Sequence, residues 1–88
     1  MKRQEFKILF RYDGHSYLAR VVKSIDGHKT LYAIRPKAIL LARAFGRQTL
    51  IFKEDEQYSC ESKINARRPE YVEALTKALK AQDILFPG

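Results

Sequence analysis

The sequence is poor in the residues that mark a secreted, membrane-spanning or disulfide-bonded protein. It contains one cysteine, Cys60, and no tryptophan among 88 residues. A single cysteine excludes an internal disulfide and fits a reducing compartment, so we expect a cytoplasmic protein. No apolar run approaches the ~20 residues of a membrane-spanning helix, and the N-terminus lacks an apolar signal segment. We therefore expect neither a membrane partner nor secretion.

Groups that could perform catalysis are also scarce. His15 and His28 should lie at opposite ends of one strand, roughly 30 Å apart at ~3.3 Å per residue, so they cannot share a metal or an active site. Cys60 has no second cysteine for a zinc site, and the acidic run 54–56 lacks the spaced ligands of a calcium loop. The four glycines are too scattered for a phosphate-binding loop. We expect no catalytic residue, metal, cofactor or small-molecule substrate, and hence not an enzyme.

Positive charge is abundant and unevenly distributed. The chain has 17 Lys+Arg against 10 Asp+Glu, a formal net charge of +7. Residues 1–53 carry 12 basic and 3 acidic residues, a net of +9, and residues 54–88 carry 5 and 7, a net of −2. With 45% hydrophobic residues the composition is globular, and the length suits a single domain over residues 1–88.

Two Asp-Gly pairs organise the first third of the chain. Asp13-Gly14 and Asp26-Gly27 suit two-residue hairpin loops. The runs around them are rich in aromatic and β-branched residues and predict strands near Glu5–Tyr12, Ser16–Ile25 and Lys29–Arg35. One face of this three-stranded meander then collects the apolar residues Phe6, Ile8, Phe10, Tyr17, Ala19, Val21, Tyr32 and Ile34.

The two loops also predict a register. The first pairs Tyr12 with His15 along the hairpin, and the second pairs Val21 with Tyr32 and, farther from the loop, residue 19 with residue 34. Both loops give the same apolar face, and a one-residue slip would invert it. This agreement supports the meander.

The remaining elements complete an α+β fold. Pro36 predicts a helix start and Gly46 its C-cap, and because the residues between are almost all apolar we expect that helix to be covered on more than one side. Residues 49–53 predict a fourth strand, and the weak alternation of 58–64 predicts a fifth. Pro69 opens a last helix whose apolar face holds Val72, Leu75, Ala78 and Leu79. We predict an antiparallel sheet of four or five strands and two helices, in the order β-β-β-α-β-(β)-α.

The second face of the meander mixes cations with aliphatic residues. Its predicted register places Lys7 opposite Arg20, and a bound phosphate would relieve the repulsion between them. We therefore expect a small non-catalytic domain that binds nucleic acid through Lys7, Arg11, Arg20, Lys29 and Arg35. The alternative for each cation is that its stem covers aliphatic neighbours while its charge stays in water.

The aliphatic residues of that face support a second hypothesis. They are Leu9, Leu18, Val22 and Leu31, and exposed apolar surface of this kind marks interfaces. The domain would then be a protein–protein interaction module or a homodimer. Salt separates the two hypotheses, because phosphate binding weakens steeply with salt and an apolar interface does not.

Overall fold

The computed structural model describes residues 2–60 and 69–85. These residues form five antiparallel strands and two helices, together with the loops that connect them. The order β-β-β-α-β-β-α confirms the predicted fold class. In chain order the elements are β1 (Lys2–Tyr12), β2 (His15–Asp26), β3 (Lys29–Pro36), α1 (Ile39–Phe45), β4 (Thr49–Glu54), β5 (Gln57–Ser59) and α2 (Pro69–Leu85). The strands lie in the sheet in that same order, from β1 at one edge to β5 at the other.

The first hairpin has the predicted loop and register. Tyr12 faces His15, and Phe6, Ile8 and Phe10 face the β2 residues expected for them. Asp13 and Gly14 both have positive φ, 52° and 78°, as a type I′ turn requires. The prediction for this hairpin is therefore confirmed.

The second hairpin corrects the predicted loop by one residue. Asp26 pairs with Lys29, so the loop is Gly27-His28 rather than Asp26-Gly27. Gly27 has a φ of 62°, and glycine at the first loop position is typical of a type II′ turn, which leaves Asp26 extended within β2.

This change shifts the β2–β3 register by two residues. Val21 lies opposite Ile34 and Ala19 opposite Pro36, so the predicted pairs of Val21 with Tyr32 and of Ala19 with Ile34 are wrong. A shift of two preserves which face each side chain occupies, so the apolar face is correct although its pairs are not. The shift also places Lys23 opposite Tyr32.

The β4–β5 turn is built without glycine. Asp55 and Glu56 have positive φ values of 51° and 69°, and β5 then runs over Gln57–Ser59. The predicted fifth strand over 58–64 is thus present at its start, and residues 61–64 lie outside the described residues.

The core lies between one face of the sheet, the inner face, and the two helices. From α2, Tyr71, Leu75 and Leu79 are fully buried at a spacing of four residues. Leu75 and Leu79 were predicted on this face. Tyr71 was not, and it stacks on Phe45 of α1 at 3.9 Å between ring centroids. The predicted Val72 and Ala78 pack at the margin of the core.

Helix α1 begins later than predicted. Pro36 is the last residue of β3, and the backbone N–H of Lys37 still donates to the carbonyl of Leu18 at 3.0 Å. The chain is therefore held to β2 until it turns into the helix at Ile39. The predicted C-cap is confirmed, since Gly46 has a φ of 93° and its N–H donates within the last turn.

Helix α1 is covered on one side only, which corrects the expectation of burial on several sides. Leu41 and Phe45, four residues apart, are buried. Ile39 and Leu40 remain 70% and 78% exposed. A seven-residue helix presents a single row of residues to a sheet, so its other apolar residues face outward. No helix within the described ranges is long and apolar enough to cross a membrane.

Candidate functional site

Three cations stand side by side on the outer face, the sheet face opposite the core. Lys7 of β1 lies directly opposite Arg20 of β2, and Arg20 lies directly opposite Arg35 of β3. All three side chains are exposed. Neighbouring strands are about 4.8 Å apart, so these residues form a continuous line of positive charge, which we call the cation row.

Two residues next to the cation row, Gln48 and Lys37, interact with it. The Nε of Arg35 donates to Oε1 of Gln48 at 3.1 Å, which orients the guanidinium group. The positive charge of Lys7, and after it that of Arg20, lowers the pKa of the exposed Lys37. Both salt bridges of the described residues lie on the inner face, so the cation row has no described acidic partner.

The two other predicted nucleic-acid contacts lie apart from the cation row. Arg11 shares its face and stands four residues from Lys7 along β1, about 13 Å away. Lys29 stands six residues from Arg35, about 20 Å away, and faces Asp26 and Glu54 across the two neighbouring strands. The structure therefore brings together three of the five predicted residues, with Arg11 nearby and Lys29 separate.

The predicted aliphatic interface is divided by the cation row. Leu9 and Leu18 pair on one side of it and are 67% and 37% exposed. Val22 and Leu31 lie on its other side and are half-buried. There they join a patch completed by Ala33, Leu50 and Phe52.

Sequence reasoning missed a polar cluster at one corner of the core. Asp83 of α2 reaches the sheet, where its Oδ2 accepts hydrogen bonds from the hydroxyls of Tyr32 at 2.7 Å and Tyr58 at 2.5 Å. The Nζ atoms of Lys23 and Lys53 each lie 3.3 Å from its carboxylate oxygens. We call these five residues the Asp83 cluster.

Burial and pairing shift the pKa values of this cluster in opposite directions. Burial first, and then the hydrogen bonds and charge of Asp83, raise the pKa values of Tyr32 and Tyr58 well above 10. Burial alone would raise the pKa of Asp83, but the hydroxyls of Tyr58 and Tyr32 and the two ammonium groups outweigh it and lower that pKa. Four donors contact one carboxylate, so the arrangement ties α2 to the sheet.

A sequence signal for this cluster existed. Strand β2 alternates, and Lys23 follows Ala19 and Val21 on the inner face, where its exposure is only 8%. A buried ammonium group requires a carboxylate partner. The partner, 60 residues away in the chain, could not be identified from β2 alone.

The candidate catalytic groups are dispersed. His15 and His28 are both exposed and lie at opposite ends of β2. Cys60 is half-buried, and its Sγ donates to the carbonyl of Leu50 at 2.9 Å. Among residues 2–60 and 69–85, no three His, Cys, Asp or Glu side chains are placed to hold a metal ion.

No relative helps to choose between the cation row and the aliphatic residues, because the chain matches no protein-family model, no curated protein and no solved structure.

Proposed function

We propose that this protein is a small, non-catalytic domain that binds nucleic acid through the cation row. The observation that carries the proposal is the direct cross-strand alignment of Lys7, Arg20 and Arg35 on an exposed sheet face. The single cysteine supports placing the domain in the cytoplasm.

The alignment costs folding free energy, which a bound polyanion would recover. Like charges directly opposite each other across strands destabilise a sheet. The lowered pKa of Lys37 is an electrostatic consequence of the same crowding. A phosphate backbone supplies negative charges to such a line and releases its own counterions on binding.

The chemistry of the face suits phosphates better than bases. Binding of single strands usually combines cations with exposed aromatic rings on which bases stack. Near the cation row the described outer face carries aliphatic residues, and Phe52 lies two residue pairs away and is half-buried. We therefore expect the protein to contact the phosphate backbone and to show little preference for base sequence.

The decisive experiment removes the cation row while keeping the fold. We expect Lys7→Gln/Arg20→Gln/Arg35→Gln to weaken binding to a mixed-sequence DNA or RNA duplex. The slope of log affinity against log salt should become shallower by about 0.9 for each phosphate that the variant no longer neutralises. Fluorescence anisotropy at several salt concentrations measures both quantities.

A matched control separates local binding from general charge. Lys29→Gln/Lys77→Gln/Lys80→Gln removes three exposed cations that lie outside the cation row. Its affinity for the duplex, and its slope of log affinity against log salt, should stay closer to the wild-type values than those of the cation-row variant do. Equal losses of affinity in the two triple variants, or no wild-type binding at low salt, would reject the cation row as the site.

The exposure of Leu9 favours a second candidate function, docking of another protein. A leucine that is 67% exposed and paired with Leu18 offers apolar surface at one end of the outer face. A partner bound there would remain attached at salt concentrations that release nucleic acid. It would dissociate from Leu18→Lys, because that change buries a charge in the interface.

A further inference from the structure

Strand β1 is a long edge strand with one described neighbour. It spans 11 residues and pairs with β2, at the opposite edge of the sheet from β5. The two-residue loop at Asp13-Gly14 makes Tyr12 and His15 a hydrogen-bonded pair, and such pairs alternate along the hairpin. The backbone groups of the odd-numbered residues from Arg3 to Arg11 therefore point away from the sheet.

Among the described residues, space is open beside this edge. Two adjoining clefts of about 300 and 220 Å³ run between β1 and α2. Both are lined by Arg11, Ala74 and Lys77. Beside Leu9 and Phe10 the helix contributes the small side chains Ala74 and Ala78, which leave room for another strand to approach β1. Nearer the loop it contributes the carboxylates of Glu70 and Glu73.

Two charged residues of β1 have no residue of opposite charge directly across from them in β2. Glu5 lies opposite Val22, and Arg11 lies opposite Ser16. Neither takes part in a salt bridge with another described residue. Both are exposed, and both lie on the outer face.

We propose that the occupant of this edge is a second copy of the chain, paired β1 to β1 in an antiparallel, two-fold symmetric dimer. Only registers that match odd-numbered with odd-numbered residues bring the free backbone groups together. One of them, with its two-fold axis at Ile8, places Glu5 opposite the partner's Arg11. It also places Phe6 opposite the partner's Phe10 and Lys7 opposite the partner's Leu9.

Symmetry doubles each of these contacts, and each neighbouring register places a cation opposite another cation or opposite an aromatic ring. With the axis at Lys7, that residue would face the partner's Lys7, and Arg3 would face the partner's Arg11. With the axis at Phe6, Glu5 would face the partner's Lys7, but Lys2 would face the partner's Phe10 on the apolar inner face and Arg11 would lie beyond the paired residues. The response of Arg11→Glu therefore separates this register from the one centred on Ile8. The charge pattern of β1 is therefore self-complementary in the register centred on Ile8.

Charge reversal tests both the interface and its register. At about 100 µM, where a dimer with a low-micromolar Kd is well populated, we expect the wild type to sediment at twice its 10.3 kDa chain mass. Glu5→Arg and Arg11→Glu should each sediment as monomers, because each brings like charges together twice. The double variant Glu5→Arg/Arg11→Glu restores opposite charges and should regain the dimer.

A charge reversal away from the β1 edge serves as the control. Glu54→Arg makes the same charge change on β4, away from the β1 edge, and should remain dimeric. Circular dichroism verifies that each variant is folded. A monomeric wild type, dimeric single variants, or a folded double variant that stays monomeric would each overturn the proposal. No nucleic acid is present in this measurement, so it fails or succeeds independently of the proposed function.

Discussion

Asp83 is the residue on which the attachment of α2 to the sheet most depends. Its carboxylate meets two lysines and two tyrosines from β2, β3, β4 and β5. A carboxylate that accepts several donors in a buried setting compensates the desolvation of the ammonium groups around it. Removing its charge would leave Lys23 and Lys53 partly buried without a described counterion.

We therefore expect Asp83→Asn to destabilise the fold by about 3 kcal/mol, the low end of the range for breaking a buried ion pair. The low end applies because the Lys53 side chain retains 23% of its exposure. Urea denaturation measures the change in stability. Asp55→Asn, the same substitution in an exposed turn, is the control and should be nearly neutral. A wild-type midpoint for Asp83→Asn would contradict the role of the cluster.

The pKa shifts of the cluster predict two limits on stability. The pKa of Asp83 is lowered from 3.8, so its contribution is complete above about pH 4 and is lost as the pH falls through its folded pKa. The pKa values of Tyr32 and Tyr58 are raised from 10.0, so their contribution is complete below about pH 10 and is lost at higher pH. Urea midpoints against pH should show a plateau between these limits, with a shallower acid limb in Asp83→Asn. An unchanged acid limb in that variant would contradict the assignment.

At the scale of elements, the turns set the faces of the sheet. Gly14 and Gly27 take positive φ, and an added Cβ at either position would meet no atom within 4 Å. The need for glycine there is therefore conformational rather than steric. Asp13, Asp55 and Glu56 take positive φ without being glycine, which Asp tolerates better than Glu.

Gly14→Val and Gly27→Val should each destabilise the fold by roughly 1–3 kcal/mol, the cost of holding a non-glycine residue in this region. Thermal or urea unfolding measures the effect. Gly14→Asn and Gly27→Asn are the matched variants and should be destabilised less, because asparagine visits positive φ more readily. Wild-type midpoints in the valine variants would show that the turns are not built as described.

At the scale of the whole molecule, the helices cover one face of the sheet and the cation row lies on the other. The helices pack on the inner face, and the outer face keeps the cation row, while residues 1–53 hold a net charge of +9. The molecule measures 34 × 25 × 18 Å, so at 0.01 M salt the Debye length of about 30 Å spans most of it. Like charges anywhere on the sheet then repel one another.

We expect the thermal midpoint to rise as salt increases from about 0.01 to 0.15 M, because the Debye length shortens to about 8 Å and the repulsion is screened. The rise should be smaller in the Lys7, Arg20, Arg35 triple Gln variant than in the Lys29, Lys77, Lys80 control. Differential scanning calorimetry at constant pH measures the midpoints. An equal rise in the two variants would show that the cation row is not the main source of repulsion.

The sequence by itself determined the elements, the sheet faces and the first hairpin. These depend on local chemistry: alternation of apolar residues, Asp-Gly at the first loop, proline at the start of α2 and glycine at the end of α1. Lys7 opposite Arg20 followed directly from the first loop. The second loop was misplaced because Asp-Gly fits one turn type and Gly-His another, and the choice between them depends on how β2 and β3 pack along their whole length.

Beyond the first hairpin, only the tertiary structure decided which residues lie opposite each other across the sheet. The β2–β3 register placed Arg35 in the cation row, and the β3–β4 register placed Leu50 and Phe52 beside Ala33 and Leu31. The tertiary structure also brought Asp83 to Lys23 across 60 residues of chain. The burial of Lys23 could be anticipated from alternation within one strand. Its partner could not, because long-range pairing is fixed by the packing of α2 and not by any local pattern.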